Sequence, residues 1–376
     1  MQKKLPSIRF FGCPQDNTGY GNATINMCKM LSEANLNVKF DLSRGRKGLG
    51  EEGLKNFEGP CKVDLYMHTP PFKKHKTKNY KIGYFYWEAD TLPKVWAKDI
   101  RSSLNELWVP CGLTREACIK AGFKGPIEIL PTPCVLDEGF AKIQIPSLHS
   151  NDLVLSKDVF KFYSIFQWNE RKGYRTLLKA YYNAFNNNDN VVLILKVNPI
   201  KHKGHGLSRI KYDIGKIQRS GQWRLKDLPK VFLSTKFLNR QRLLGIHALC
   251  DAFVLPHHGE GWGMPIHDAM MNNSYVISTK FGGITEYLNE ENSFVINHKI
   301  GRVKSMDWNP WYGNYQNWAY PDYIHLTNIM TDLYANKNKY NYKINNASAI
   351  AKTLSIEECV KKVENILLKK RFKRFL

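Results

Sequence analysis

A recurring pattern constrains this chain more than any other feature: short apolar runs alternate with stretches of helical spacing or with polar turns. In the second half the runs are "KFYSIFQ" (161–167), "VVLILKV" (191–197), "KVFLS" (230–234), "AFVLP" (252–256), "YVIST" (275–279) and "SFVIN" (293–297). A run as continuously apolar as Val191–Val197 suits a strand covered on both faces, the setting of a parallel sheet between helices. The first half repeats the pattern with "SIRFFG" (7–12), "NVKFDL" (37–42), "VDLYMH" (63–68), "KIGYFYW" (81–87), "ELWVP" (106–110) and "IEILP" (127–131), and with a helix expected from about Tyr20 to Ala34. Two doubly wound α/β domains in tandem are the simplest architecture. The expected domains are 1–150 and 151–354, joined through residues 133–158, which carry prolines and charges and little periodicity. The end of the chain, "TLSIEECVKKVENILLKKRFKRFL", opens with a capping box from Ser355 to Glu358. The stripe Ile356, Val360, Val363 and Leu367 predicts a helix within 355–376 that packs back on the body, the first domain being its candidate partner.

Composition narrows the class. A chain of 376 residues with 43% hydrophobic residues is globular rather than disordered. It lacks a run of about eighteen apolar residues, so no spanning helix is expected. The start, "MQKKLPSIRFFG", is too weak for a signal peptide, so a cytosolic place is expected, with the inner face of a membrane as an alternative. The eight cysteines form no C-x-x-C pair, and neither disulfides nor a bound metal is expected. The charge is less ordinary: 56 Lys and Arg against 33 acidic residues leave +23. Such a field attracts polyanions, whether nucleic acid, an anionic membrane or phosphorylated ligands, although a solvated basic face is the plainer reading.

The chemistry concentrates in "LPHHGEGWGMPIHDAMM" (255–271), where a strand runs into a helix. Ligands of open parallel sheets gather at such strand ends. Gly259, Gly261 and Gly263 allow a tight turn and close backbone approach. Pro265 suits a first helical turn whose free N–H groups form a seat for phosphate. A carboxylate beside such a seat repels an anion, so Glu260 and Asp268 suit hydrogen bonds from sugar hydroxyls. That the glycines only shape a turn, and that Asp268 only complements the helix dipole, stays open at this level.

"E-G-W-G-M-P-I-H-D-A-M" resembles the E-x7-E signature of the family 4 retaining glycosyltransferases, which have the GT-B fold of two Rossmann-like domains facing a cleft. "DNTGYGNATINM" (16–27) is similar to the family's glycine-rich loop, "IFQWNERKGYRTLLKAY" (165–181) to its second-domain opening, and "FGGITEYL" (281–288) to its Gly-Gly segment. The resemblance implies that Glu260 binds hydroxyls of the donor sugar and Asp268 the ribose of the nucleotide. It implies that Lys172 neutralises the leaving diphosphate, that Gly19 and Gly21 let the first loop close over it, and that Gly261, Trp262 and Gly263 offer backbone N–H groups to the sugar. Two departures stand out. The family's second acid is usually Glu, and its Arg ahead of the Lys is replaced here by Gln167, Trp168 and Asn169, leaving Arg171 or Lys196 to supply that charge.

Among the remaining candidates, His68 ends the third strand, where the family often has a His at the donor sugar or acceptor; a core histidine is the equal alternative. Trp87 and Glu88, in "YFYWEAD", resemble a family segment near the acceptor, with packing the alternative for Trp87. His257 and His258 precede Glu260, but neighbours on a strand end point opposite ways, so both cannot serve the site. The aromatic segment "MDWNPWYGNYQNWAYPD" (306–322) offers faces for sugars or bases, or packs on the C-terminal helices. The chain has no D-x-D pair, so a metal-independent cation clamp with no cofactor is expected, a nucleotide-diphosphate sugar being the donor substrate. The expected function is retaining sugar transfer to a hydroxyl of a glycolipid or surface-polysaccharide precursor at an anionic membrane, approached through the basic tail "KKRFKRFL". The alternatives are transfer to hydroxylated bases of duplex DNA and a non-catalytic nucleic-acid-binding protein on the same fold.

Overall fold

The computed structural model describes residues 5–14, 18–42, 54–135, 158–200, 206–304, 306 and 309–376. The apolar runs become strands. The first series is β1 (Ile8–Phe11), α1 (Gly19–Glu33), β2 (Val38–Asp41), β3 (Val63–Met67), β4 (Tyr80–Tyr84), α2 (Lys94–Ser103), β5 (Glu106–Val109), α3 (Gly112–Lys120) and β6 (Ile127–Ile129). These strands form one parallel sheet in the order β2-β1-β3-β4-β5-β6. The second series is β7 (Phe160–Gln167), α4 (Tyr174–Ala184), β8 (Val191–Asn198), α5 (Gly206–Ser220), β9 (Lys230–Ser234), α6 (Arg240–Leu249), β10 (Ala252–Leu255), α7 (Met264–Met271), β11 (Tyr275–Thr279) and β12 (Phe294–Ile296). Its parallel sheet has the order β12-β11-β10-β7-β8-β9. The doubly wound α/β organisation is present in both halves. The expected boundary at 150/151 lies outside the described residues.

The strand order positions the site. The chain lays β8 and β9 on one side of β7, then returns to lay β10 on the other. Helices on the two sides cover opposite faces, so a crevice opens where β7 and β10 end. The loops after Gln167 and after Leu255, the two segments singled out in the sequence, emerge there together. An equivalent reversal lies between β1 and β3 in the first sheet.

One element was not anticipated. The segment treated as an aromatic insertion is part of an antiparallel hairpin, β13 (His298–Arg302) with β14 (Asn317–Pro321). Its connection packs Trp311 and Tyr312 against the cluster around Trp87, Trp96 and Phe85. It therefore lies on the first sheet's flank rather than on the C-terminal helices. Three helices close the chain, α8 (Tyr323–Asn336), α9 (Asn341–Lys352) and α10 (Ile356–Leu367).

Helix α10 joins the first core: Ile356, Cys359, Val363, Ile366 and Leu367 pack with Ile8, Phe10, Met27 and Leu31. The Ser355 hydroxyl caps it, accepting from the Glu358 N–H at 3.3 Å. The Glu358 carboxylate turns to Lys361 Nζ at 2.6 Å instead of closing the box.

The tail is bound to the body in part. Arg371 donates to both carboxylate oxygens of Glu106 at 2.7 Å and to Glu128 at 2.6 Å. Lys369 reaches Glu128 at 2.5 Å, and Phe372 is fully buried. The part of the tail expected to meet a membrane is thus fastened to the first sheet, leaving Lys370, Lys373 and Arg374 exposed. The Glu106 side chain is enclosed and depends on Arg371, Tyr80 and Trp108 as donors. Removing one partner of a buried pair strands the other charge, so Arg371→Ala should cost about 3 kcal/mol in urea unfolding. A loss below about 0.5 kcal/mol, the scale of a surface pair, would show the tail to be a loose appendage.

No disulfide joins any of the eight cysteines, and among the described residues no helix is long and apolar enough to cross a membrane.

Candidate active site

The site forms where two turns meet. After β7 the chain makes a short 3-10 turn, Glu170–Lys172, and enters α4 through Gly173 at φ +69°. A side chain at Gly173 would be strained at that φ and would strike the Pro256 carbonyl, its Cβ lying 1.8 Å from the oxygen. The two turns are therefore in backbone contact, and His258 N–H donates to the Arg171 carbonyl at 2.7 Å. After β10 the loop runs to Gly263, which adopts φ +81° as the residue preceding α7, with Pro265 in the helix's first turn as expected. The Glu260 carbonyl accepts from Gly283 N–H at 2.7 Å, tying the loop to the Gly-Gly segment.

This brings four charged side chains together. The Glu260 carboxylate pairs with Lys172 Nζ and, at 3.2 Å, with Arg171. Arg171 also reaches Glu88 of the first unit at 3.4 Å and donates to the Gly259 carbonyl at 2.6 Å. None of these side chains is more than 18% exposed. Burial pushes the Glu260 carboxyl up, but Lys172 and Arg171 hold it down to about 2. Burial lowers the Lys172 ammonium, against the pull of Glu260. Burial would lower Arg171 too, but Glu88 and Glu260 raise it. A buried cation held by one carboxylate can be drawn away by a more highly charged anion, which frees that carboxylate to accept hydroxyls.

Lys196, at the end of β8, is 2% exposed and donates to Asn198 Oδ1 at 2.7 Å. Burial lowers its ammonium to about 8. Ser234, beside it in register on β9, has a buried hydroxyl without a hydrogen-bond partner. Asn169 Oδ1, on the neighbouring turn, is likewise buried and unpartnered. Unsatisfied groups at strand ends mark where a polar ligand would complete the structure.

Asp268 lies in α7 and pairs with both terminal nitrogens of Arg240, Nη2 at 2.7 Å. Burial opposes its ionisation, and Arg240 keeps its carboxyl low. Arg240, the first residue of α6 after the capping Asn239, was missed in the sequence; only that cap marks its position. The pair lines a cavity of about 190 Å³ shared with Asn22, Asn26 and Lys29 of α1. Gly261 packs against Tyr86, and Trp262, 3% exposed, has its carbonyl held by the Tyr287 hydroxyl at 2.6 Å. Gly19 and Gly21 lie within the first turn of α1, capped by the Thr18 hydroxyl, which accepts from Gly21 N–H at 2.9 Å. They belong to a helix, not to a loop free to close.

His68 stands apart from this cluster. Its Nδ1 is 2.8 Å from the Thr69 carbonyl and its Nε2 is 2.9 Å from His75 Nε2. It lines a cavity of about 270 Å³ at the ends of β1 to β3 with Phe11, Tyr20, Asp41 and Lys74. Trp87 is 1% exposed, stacked on Tyr312 and edge-on to Trp96, so it packs rather than facing the cleft. His257 is fully buried with both ring nitrogens unpartnered, and burial lowers it to about 3. His258 stacks on Trp318 and anchors β14. Among the described residues no group of His, Cys, Asp or Glu has the arrangement of a metal site.

Residues 148–301 match the family described as Glycosyl transferases group 1, a segment that contains Arg171, Lys172, Glu260 and Asp268. No curated protein sequence matches the chain. Similar solved structures include Anabaena HepE in complex with UDP and glucose, 14% identical with a TM-score of 0.68 over 96% of this chain and 99% of that one. Sucrose-phosphate synthase from Thermosynechococcus elongatus is 13% identical, with a TM-score of 0.65 over 96% and 98%. The two parallel sheets are those of the two-domain Rossmann-like fold these proteins share.

Proposed function

We propose that this GT-B glycosyltransferase, group 1 over residues 148–301, moves a sugar from a nucleotide-diphosphate donor to a hydroxyl acceptor with retention at the anomeric carbon. The observation that carries the reading is the pairing of Glu260 with Lys172 at the reversal between β7 and β10. As paired, each neutralises the other. A donor's diphosphate attracts Lys172 and the N–H groups at the start of α7, and the released Glu260 carboxylate accepts hydroxyls of the sugar. As the sugar–phosphate bond breaks, negative charge grows on the diphosphate beside a cation already in position, which lowers the barrier. Lys196 supplies the second charge, in place of the arginine that the resemblance leads one to expect. Asp268, held by Arg240, faces the ribose. HepE, crystallised with UDP-glucose, is consistent with a nucleotide-sugar ligand.

The acceptor we infer is a glycolipid or surface-polysaccharide precursor, with His68 and Glu88 on its side of the cleft. The +23 charge supports a second reading, hydroxylated bases of duplex DNA, in which exposed cations track phosphates. The test is release of nucleoside diphosphate from a panel of nucleotide sugars in excess EDTA, with and without duplex DNA or anionic vesicles. Sustained release supports a metal-independent clamp. Release restored only by manganese or magnesium contradicts that clamp, and no release from any donor contradicts the transferase reading.

The Lys196 charge gives a pH signature. Its ammonium, lowered to about 8 by burial, loses its proton as pH rises through that value, and with it the attraction for diphosphate. Affinity for a nucleoside diphosphate should therefore fall above pH 8, by up to about tenfold per unit. Lys196→Arg should flatten the profile to pH 10, and an unchanged wild-type affinity across this range would remove Lys196 from the clamp.

A further inference from the structure

Resting on the nucleotide-sugar reading, we propose that Tyr312 and Glu88 are positioning residues: they compete with Glu260 for Arg171, so that the Glu260 carboxylate is left able to turn to the donor sugar. Arg171 sits between two carboxylates, Glu260 at 3.2 Å and Glu88 at 3.4 Å. Glu88 is fixed from behind by the Tyr312 hydroxyl, which donates to its other oxygen at 2.5 Å. Tyr312 cannot drift: its ring stacks on Trp87 at 5.0 Å and 17°, and Trp311 packs on Trp96. The base of the hairpin is clamped as well, because Asp90 accepts from the Asn317 N–H at 2.6 Å and its Nδ2 at 3.0 Å. The two units touch here without room for a side chain, since a Cβ on Gly259 would lie 2.0 Å from the Glu88 carbonyl.

Charge accounting gives this chain of contacts a purpose. Glu260 and Glu88 balance Lys172 and Arg171. When a diphosphate draws Lys172 off, Glu260 keeps Arg171 as its remaining cation. A carboxylate saturated by guanidinium is a poor acceptor for sugar hydroxyls. Glu88 shares that guanidinium and, with the Gly259 carbonyl, gives it somewhere else to remain. Tyr312 acts one step further back by keeping Glu88 aimed at Arg171. The hairpin that the sequence presents only as an aromatic insertion thereby acts on the donor side of the cleft.

The test separates this role from general packing. UDP and UDP-glucose are titrated against wild-type protein, Glu88→Gln and Tyr312→Phe, the last keeping the stacked ring. Glu88→Gln should weaken UDP-glucose about tenfold while leaving UDP within about twofold, and Tyr312→Phe should do the same to a smaller extent. Equal losses for both ligands would mean a structural role and overturn the proposal. A second measurement needs no ligand: in thermal unfolding, Tyr312→Phe and Arg171→Leu should be non-additive because the two side chains act on each other through Glu88, and should become additive in a Glu88→Gln background. Additivity with Glu88 present overturns the relay. If wild-type protein binds neither UDP nor UDP-glucose, that counts against the donor reading, and the unfolding cycle alone decides the relay.

Discussion

Glu260→Ala should lower turnover on the nucleotide sugar about a hundredfold, the scale on which a preorganised polar contact to the reacting group acts. The side chain is 7% exposed and held between two cations, so it is already confined to the site before any ligand arrives. Removing it frees Lys172 and Arg171, which leaves the site more positive. Binding of a bare nucleoside diphosphate should therefore persist or tighten, while the increment due to the sugar disappears. That combination marks a lost sugar contact; parallel losses of both ligands with a lowered melting temperature would mark a misfolded loop instead. Turnover within a fewfold of wild type in a folded variant would remove Glu260 from the site.

Lys172→Ala should be at least as damaging, by about a hundredfold to a thousandfold in kcat/KM. In the proposed reading its ammonium meets the leaving diphosphate, and the side chain is only 12% exposed in the folded protein. A charge in a water-excluded site acts more strongly than the same charge at the surface. The sign for stability is opposite to that for activity in part: the variant relieves the burial of an ammonium but leaves Glu260 with Arg171 alone. Diphosphate and nucleotide sugar should both lose affinity. Steady-state kinetics with a soluble acceptor analogue check the prediction, and an unchanged kcat/KM would move the clamp to Lys196 and Arg171.

The strands were legible because burial on both faces writes a continuous apolar run, as in β8, and because glycines and prolines mark the turns between them. The E-G-W-G stretch was legible as chemistry for a related reason, since ligands gather where strands of a parallel sheet run into helices; Lys172 was reached only through the family resemblance, with Arg171 one of two candidates for the second charge. What the sequence did not carry is pairing across distance. Arg240 meets Asp268 from the start of another helix, Tyr312 meets Glu88 from a hairpin on the other unit, and Arg371 meets Glu106 from the end of the chain. Each partner is an ordinary residue in its local context, and its role exists only once the fold closes. The same blindness let "KKRFKRFL" read as a basic segment for an anionic membrane, since net charge says nothing about which cations already have carboxylates. Gly19 and Gly21 misled in the opposite sense, because glycines at a helix start look like those of a flexible loop.

The proposed division of labour gives the diphosphate to Lys172 and the sugar to Glu260. Calorimetric titration of UDP and UDP-glucose into wild-type protein, Glu260→Ala and Lys172→Ala tests it most directly. Lys172→Ala should weaken both ligands, whereas Glu260→Ala should abolish only the advantage of UDP-glucose over UDP. The reverse pattern, with Glu260→Ala losing UDP and Lys172→Ala keeping it, would overturn these two assignments.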